Sequence, residues 1–146
     1  HPGSECYGAD SADHKPTGDR WLWSAQGKIL SREIDLGFGV RTAYWDADPQ
    51  REILRGDRVL DHGGEAHPGK APGSWVLTAD VCGDWREEII ASLPGEMRIY
   101  STTIPARDRR VTLMQDPIYR ADVTMCTMGY TQVPMTSYDL ASTPGR

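Results

Sequence analysis

The chain has 146 residues, with 16 Lys and Arg against 21 Asp and Glu and a formal net charge of −5. That length suits one ordinary domain. The acidic balance leaves no basic stripe of the kind that nucleic-acid binding needs, and no run approaches the roughly 20 apolar residues that cross a bilayer. With 15 Gly and 10 Pro, and a single Phe against 5 Trp and 6 Tyr, many short elements joined by turns are favoured over long helices. The opening His1-Pro2-Gly3-Ser4 has no Met, basic region or apolar core, so no signal peptide is visible and a piece of a longer protein is expected.

Residues 5–9 read as a short strand, followed by a polar loop over 10–19. Asp10, Asp13, His14 and Asp19 in that loop have no recognised ligand spacing. Residues 20–25 and 28–33 form a hairpin across Gln26-Gly27, with Trp21 and Trp23 on one face at period two. Leu36-Gly37-Phe38-Gly39 is a turn, and 40–45 is a strand that delivers the chain into Asp46-Ala47-Asp48-Pro49-Gln50-Arg51-Glu52. Ile53-Leu54 and Val59-Leu60 flank Arg55-Gly56-Asp57, a hairpin whose turn chemistry accounts for this otherwise adhesion-like tripeptide.

Residues 61–73 are rich in Gly, His and Pro without periodicity, and loops of that length inside compact proteins are frequently functional. A strand over 74–78 leads into Ala79-Asp80-Val81-Cys82-Gly83-Asp84-Trp85-Arg86-Glu87-Glu88. Residues 88–92 and 97–102 make a hairpin across Leu93-Pro94-Gly95-Glu96, and 110–114 is one more strand. Asp116-Pro117 begins a single helical turn reaching Tyr119 or Arg120, and the tail from Val123 mixes strand character with Gly129, Pro134 and Pro144. No long amphipathic helix is evident. The fold class expected is all-β, hairpin after hairpin.

The two acidic loops carry the chemistry. Asp80, Asp84 and Glu88 recur at every fourth position, so a curled loop points several carboxylates at one spot. Asp48 precedes Asp84, and Glu52 precedes Glu88, by the same 36 residues, with two aliphatics following each Glu. A repeat of that period suggests a propeller, solenoid or array. Calcium takes six to eight oxygens at about 2.3–2.6 Å, so Asp46, Asp48 and Glu52 form one expected ligand set and Asp80, Asp84 and Glu88 the other. Cys6, Cys82 and Cys126 cannot all pair, and their spacing matches no zinc pattern; buried free thiols are expected, with one disulfide as the alternative.

Three segments resemble a known family: Gly83-Asp84-Trp85-Arg86-Glu87-Glu88, Arg98-Ile99-Tyr100-Ser101-Thr102-Thr103-Ile104-Pro105, and Thr112-Leu113-Met114-Gln115-Asp116-Pro117-Ile118-Tyr119-Arg120. Together they look like the C-terminal part of rhamnogalacturonan lyases of polysaccharide lyase family 11, and Tyr44-Trp45-Asp46-Ala47-Asp48 looks like an earlier acidic loop of that family. The resemblance implies a secreted, calcium-rich β-propeller that cleaves the rhamnose–galacturonate backbone of pectin by β-elimination. Residues 1–146 would then supply the last few blades of one propeller, a partial β-propeller inactive by itself and monomeric at full length, whose partner is an acidic polysaccharide rather than nucleic acid or membrane. The competing reading is a non-catalytic calcium-dependent propeller that binds carbohydrate or protein, because an Asp-rich loop before a strand also resembles the calcium repeats of integrin-type propellers.

The family's cleft lysine closes an Asn-Gly-Thr-Lys loop, whose place is held here by His67-Pro68-Gly69-Lys70. Its cleft tyrosine belongs to an Ala-Tyr-Asn-Gln-Pro-Pro-His segment, matched by Gly129-Tyr130-Thr131-Gln132-Val133-Pro134-Met135. The resemblance thus implies Lys70 as catalytic base, with His67, Pro68, Gly69 and Tyr130 meeting the sugar. A base must be neutral when it acts, and a free lysine has a pKa of about 10.4. Lys70 as base therefore needs a depressed value, and burial and a nearby divalent ion both push in that direction.

Overall fold

A computed structural model of the chain describes residues 6–12, 15–24, 26–32, 40–130 and 132–142. Asp13, His14 and the turn expected at 36–39 lie outside the described residues. Among the described residues there are three antiparallel sheets of three strands, each built from strands consecutive in sequence. The first holds β1 (Cys6–Ala12), β2 (Lys15–Trp23) and β3 (Ile29–Ser31), and the second β4 (Arg41–Ala43), β5 (Glu52–Arg55) and β6 (Arg58–Leu60). The third holds β7 (Ser74–Ala79), β8 (Glu88–Leu93) and β9 (Glu96–Tyr100).

Most of the predicted hairpins are present, with one correction near the start. The stretch 10–19, expected as a loop, is largely strand: β1 and β2 pair from Cys6↔Trp23 to Ala12↔Lys15. Ladder hydrogen bonds come from the backbone, so a polar composition does not prevent pairing. Trp21 and Trp23 do share a face, stacked with ring centroids 5.7 Å apart.

The 36-residue repeat is a physical one. Thr78 Oγ1 donates to Thr42 O at 3.3 Å, and Arg51 Nη1 donates to Glu87 Oε2 at 3.0 Å, both across 36 positions. Equivalent positions of successive units therefore touch. Bonds within the loops repeat as well: Trp45 N–H donates to Glu52 where Val81 N–H donates to Glu88, and Gln50 N–H donates to Asp48 where Arg86 N–H donates to Asp84.

Two further expectations are corrected after β9. Residues 110–114 are not a strand; Leu113–Gln115 form a 3₁₀ turn. The single helical turn is an eleven-residue helix, α1 (Pro117–Thr127). Asp116 caps it by accepting from Ile118 N–H at 2.9 Å, and Pro117 occupies the first turn, where its missing N–H costs nothing. Tyr119, Val123 and Cys126 are buried at helical spacing and α1 packs against β7. Apolar Ile118, Met125 and Met128 on the exposed side, together with β-branched Val123, Thr124 and Thr127, hide that stripe in the sequence.

The core has two parts. Tyr44, Leu77, Ala79, Trp85 and Leu113 pack with Tyr119, Val123 and Cys126 of α1 and with Leu140. Ala43, Trp45, Leu54, Val59, Ala71 and Ile89 pack on the other side, with Trp75, Tyr100 and Ile104 against them. This second cluster floors the cleft described next. Among the described residues no helix is long and apolar enough to cross a membrane.

Candidate functional site

A cleft of about 370 Å³ is lined by Trp45, Val59, Pro68, Gly69, Lys70, Ala71 and residues 100–104. One wall is the 61–73 loop, which backbone bonds pin to the second sheet. His67 N–H donates to Val59 O at 2.9 Å, Ala71 N–H donates to Asp57 O at 2.8 Å, and Leu60 bridges Ala66. Beneath the wall, Trp75 Nε1 donates to Ala71 O at 2.6 Å and Tyr100 Oη donates to Pro72 O at 2.8 Å. The loop is thus a held structure despite its lack of periodicity.

Lys70 lies on this wall. Its side chain is 58% exposed and its Nζ sits 2.8 Å from Asp57 Oδ2. That hydrogen bond, with the lysine charge behind it, holds the Asp57 carboxyl below its ordinary value. In this chain Lys70 is thus an exposed residue held in an ion pair. Pro68 and Gly69 line the cleft beside it. Tyr130 is 60% exposed just past α1 and lines a separate, small pocket with Arg41, Val76 and Gln132, so Lys70 and Tyr130 do not share a cavity.

The acidic residues divide sharply. Asp46, Glu52 and His67 each offer a ligand atom within 4.8 Å of the others, the one such group of three or more among the described residues. Asp46 sits in the loop after β4, Glu52 opens β5 with 2% exposure, and His67 arrives on the 61–73 loop. Burial pushes the Glu52 carboxyl up to about 8, with the Asp46 charge adding to the effect. The Nε2 atom of His67 is buried and has no hydrogen-bond partner. Asp48 is exposed and spends an oxygen on Gln50 N–H at 2.7 Å.

In the second loop the same residue types serve the backbone. Asp80 accepts from Gly83 N–H at 2.7 Å, Leu113 N–H at 2.7 Å, Thr112 Oγ1 at 2.8 Å and Trp85 N–H at 3.2 Å. Glu88 accepts from Val81 N–H and Cys82 N–H, both at 3.0 Å, and from Ser101 Oγ at 3.1 Å. Asp84 pairs with Arg86. These donors hold Trp85 in the left-handed region at φ 72°, a conformation that a bulky residue adopts only when its surroundings enforce it. Asp80 and Glu88 thus spend side-chain oxygens on bracing the backbone of this loop.

The sequence reading overlooked the hub beneath both loops. Glu87 is fully buried and bonds Arg51, accepts Tyr44 N–H at 2.9 Å and accepts from Tyr119 Oη at 2.6 Å. Tyr119 Oη in turn accepts Asp80 N–H at 3.0 Å, and Arg51 Nη2 donates to Pro134 O at 2.6 Å. One signal could have revealed it: opposite charges at equivalent places of the repeat. The expectation of buried free thiols holds for Cys126 and is corrected for Cys82, which is a free thiol but exposed.

Comparison with known proteins matches residues 1–144 to the model described as rhamnogalacturonan lyase family 11, C-terminal domain. The rhamnogalacturonan endolyase YesW of Bacillus subtilis (strain 168) is 32% identical over 139 residues, covering 82% of this chain and 22% of that protein. The rhamnogalacturonan exolyase YesX of the same strain is 36% identical over 146 residues, covering 83% of this chain and 23% of that protein. The YesW crystal structure superposes with a TM-score of 0.68 at 30% identity, over 99% of this chain and 28% of that one. A rhamnogalacturonan lyase of Bacillus licheniformis gives a TM-score of 0.68 at 28% identity, over 97% and 27%. The chain spans less than a quarter of the curated relatives it matches, and it belongs to rhamnogalacturonan lyase family 11, within the family's C-terminal domain.

Proposed function

We propose that the protein to which this chain contributes cleaves rhamnogalacturonan by β-elimination outside the cell, and that these residues form one wall of its substrate cleft. The observation that carries the reading is the cleft itself, with Lys70 on its wall in a chain of this family. In the step proposed, a base removes the proton on the carbon next to the uronate carboxylate. The electron pair forms a carbon–carbon double bond, and the glycosidic oxygen one carbon further on leaves and is protonated. Lys70 is the proposed base, and it must first give up Asp57. Pro68 and Gly69 shape the wall, and Tyr130 contacts the sugar only where the rest of the protein extends the cleft toward it. Calcium bound by the whole protein would supply Lewis-acid stabilisation of the charge that develops beside the uronate carboxylate.

Three successive three-stranded sheets, with equivalent positions of the second and third in contact, support the last blades of a propeller as the architecture. The full-length protein, a monomer in this reading, should release unsaturated uronide from rhamnogalacturonan, detected by ultraviolet absorbance. Binding of the polysaccharide without that absorbance would instead select the non-catalytic module. The ion pair favours one variation on the mechanism, in which Lys70 stays charged and holds the uronate carboxylate in place of Asp57.

A further inference from the structure

A second cavity, of about 380 Å³, opens where residues 109–112, the start of α1 and the tail at 137–140 meet. It shares no lining residue with the cleft. Its walls are held by specific bonds. Asp116 accepts Ile118 N–H at 2.9 Å and Ser137 N–H at 2.6 Å, which ties the helix start to the tail. Arg110 pairs with Asp108 at 2.7 Å, donates to Leu140 O and lies over the Trp85 ring, with Leu113 and Leu140 buried nearby. The remaining lining groups are not tied up in this way. Among the described residues the side chains of Arg109 and Gln115 are exposed and have no ion-pair or hydrogen-bond partner. Beside them, Tyr138 is 38% exposed and Val111 48%. A few convergent polar groups over apolar surface, in a volume above about 300 Å³, are what small-molecule sites offer.

We propose that this cavity is a second saccharide site, which binds one uronate of an acidic oligosaccharide away from the cleft. Arg109 supplies the planar fork that a carboxylate accepts from in two places. The Gln115 amide exchanges hydrogen bonds with ring hydroxyls, and Tyr138 with Val111 meets the apolar face of the sugar. Charge selects the ligand. Arg109 and Arg110 against Asp116 leave one positive charge on the lining, which a monoanionic carboxylate balances and a dianionic phosphate exceeds. Although the chain carries a net charge of −5, residues 107–110 hold three arginines against one aspartate, so the attraction is local. A polymer engaged here and in the cleft is retained more tightly without any new contact at the reacting atoms. The site uses no part of the elimination chemistry and stands whether or not Lys70 is the base.

The test is modification of arginines by phenylglyoxal in the full-length protein, followed peptide by peptide by mass spectrometry. Galacturonate at about ten times its dissociation constant should slow modification of Arg109 about tenfold. Exposed Arg107, which does not line the cavity, should react at an unchanged rate. Galactose, which lacks the carboxylate, should protect Arg109 far less, and Tyr138→Ala, which keeps the guanidinium, should remove the protection. Equal protection by galactose or by inorganic phosphate overturns the proposal, as does equal slowing at Arg107. An Arg109 that resists the reagent without sugar overturns it too, because another part of the protein then fills the cavity. Crystals of the full-length protein soaked with galacturonate give a direct check. A ring with its carboxylate on Arg109 supports the site, and a ring in the cleft alone sinks it. Neither readout involves cleavage, so failure here is distinct from failure of the lyase reading.

Discussion

Arg51 and Glu87 occupy equivalent places in successive repeats and meet as a buried ion pair, Nη1 to Oε2 at 3.0 Å with side chains 7% and 0% exposed. The guanidinium also lies over the Tyr44 ring, 4.1 Å from its centroid. Removing one member of a buried pair leaves the other charge uncompensated, a cost of about 3–5 kcal/mol. Arg51→Met and Glu87→Leu should each lower the unfolding midpoint strongly. The double variant should lose clearly less than their sum, as a double-mutant cycle in denaturant reads out.

Asp116 predicts a pH effect. Burial alone would raise its carboxyl, but N–H donors from Ser137 and Ile118 outweigh that and hold it below its ordinary value. A depressed folded-state value means that the carboxylate stabilises the fold above the ordinary carboxylate range. That contribution disappears as pH falls through the lowered value. Asp116→Asn should flatten this acid limb of a stability–pH curve, and Asp116→Ala should cost about 1 kcal/mol through the lost cap.

Gly73 has φ +121°, and a Cβ there would stand 3.0 Å from Ser92 O and 3.1 Å from Ala91 Cβ. Neither backbone nor methyl can step aside. Gly73→Ala should destabilise by on the order of 1–3 kcal/mol, and because the residue closes the 61–73 loop, cleft binding should weaken too. Matched thermal melts and polysaccharide titrations of the full-length protein check both effects.

Lys70 separates two roles by its substitutions. If it is the base, Lys70→Ala and Lys70→Arg should both lower kcat by about 10²–10⁴-fold, since arginine keeps the charge but cannot be deprotonated. If it holds the uronate carboxylate, Lys70→Arg should retain most of the rate. Asp57→Asn releases the ammonium from its partner and should alter KM in either case.

Cys82 is exposed and free, and the Glu88 carboxylate is the main cause of its raised thiol pKa, with burial second. Thiol-reagent kinetics should therefore show its reactivity rising at higher pH than an unperturbed cysteine's. Glu88→Gln should move that profile back down, while buried Cys126 reacts only on unfolding.

By itself the sequence determined the order of hairpins, the two acidic loops, the 36-residue repeat between them and the family. Those are local properties: period-two patterning, turn residues and short motifs act over a few positions, so Ile53-Leu54 or Pro94-Gly95 could be placed without knowing their neighbours. Tertiary structure alone decided the rest. Helix α1 exists because Tyr119, Val123 and Cys126 find a core to enter, and packing rather than propensity carries most helices. It also decided what each charge does. Asp80 braces a loop, Glu87 anchors a hub, Lys70 pairs with Asp57 in solvent and His67 joins Asp46 and Glu52. The function of an ionisable side chain is set by its burial and its partners, and those arrive from segments far away along the chain.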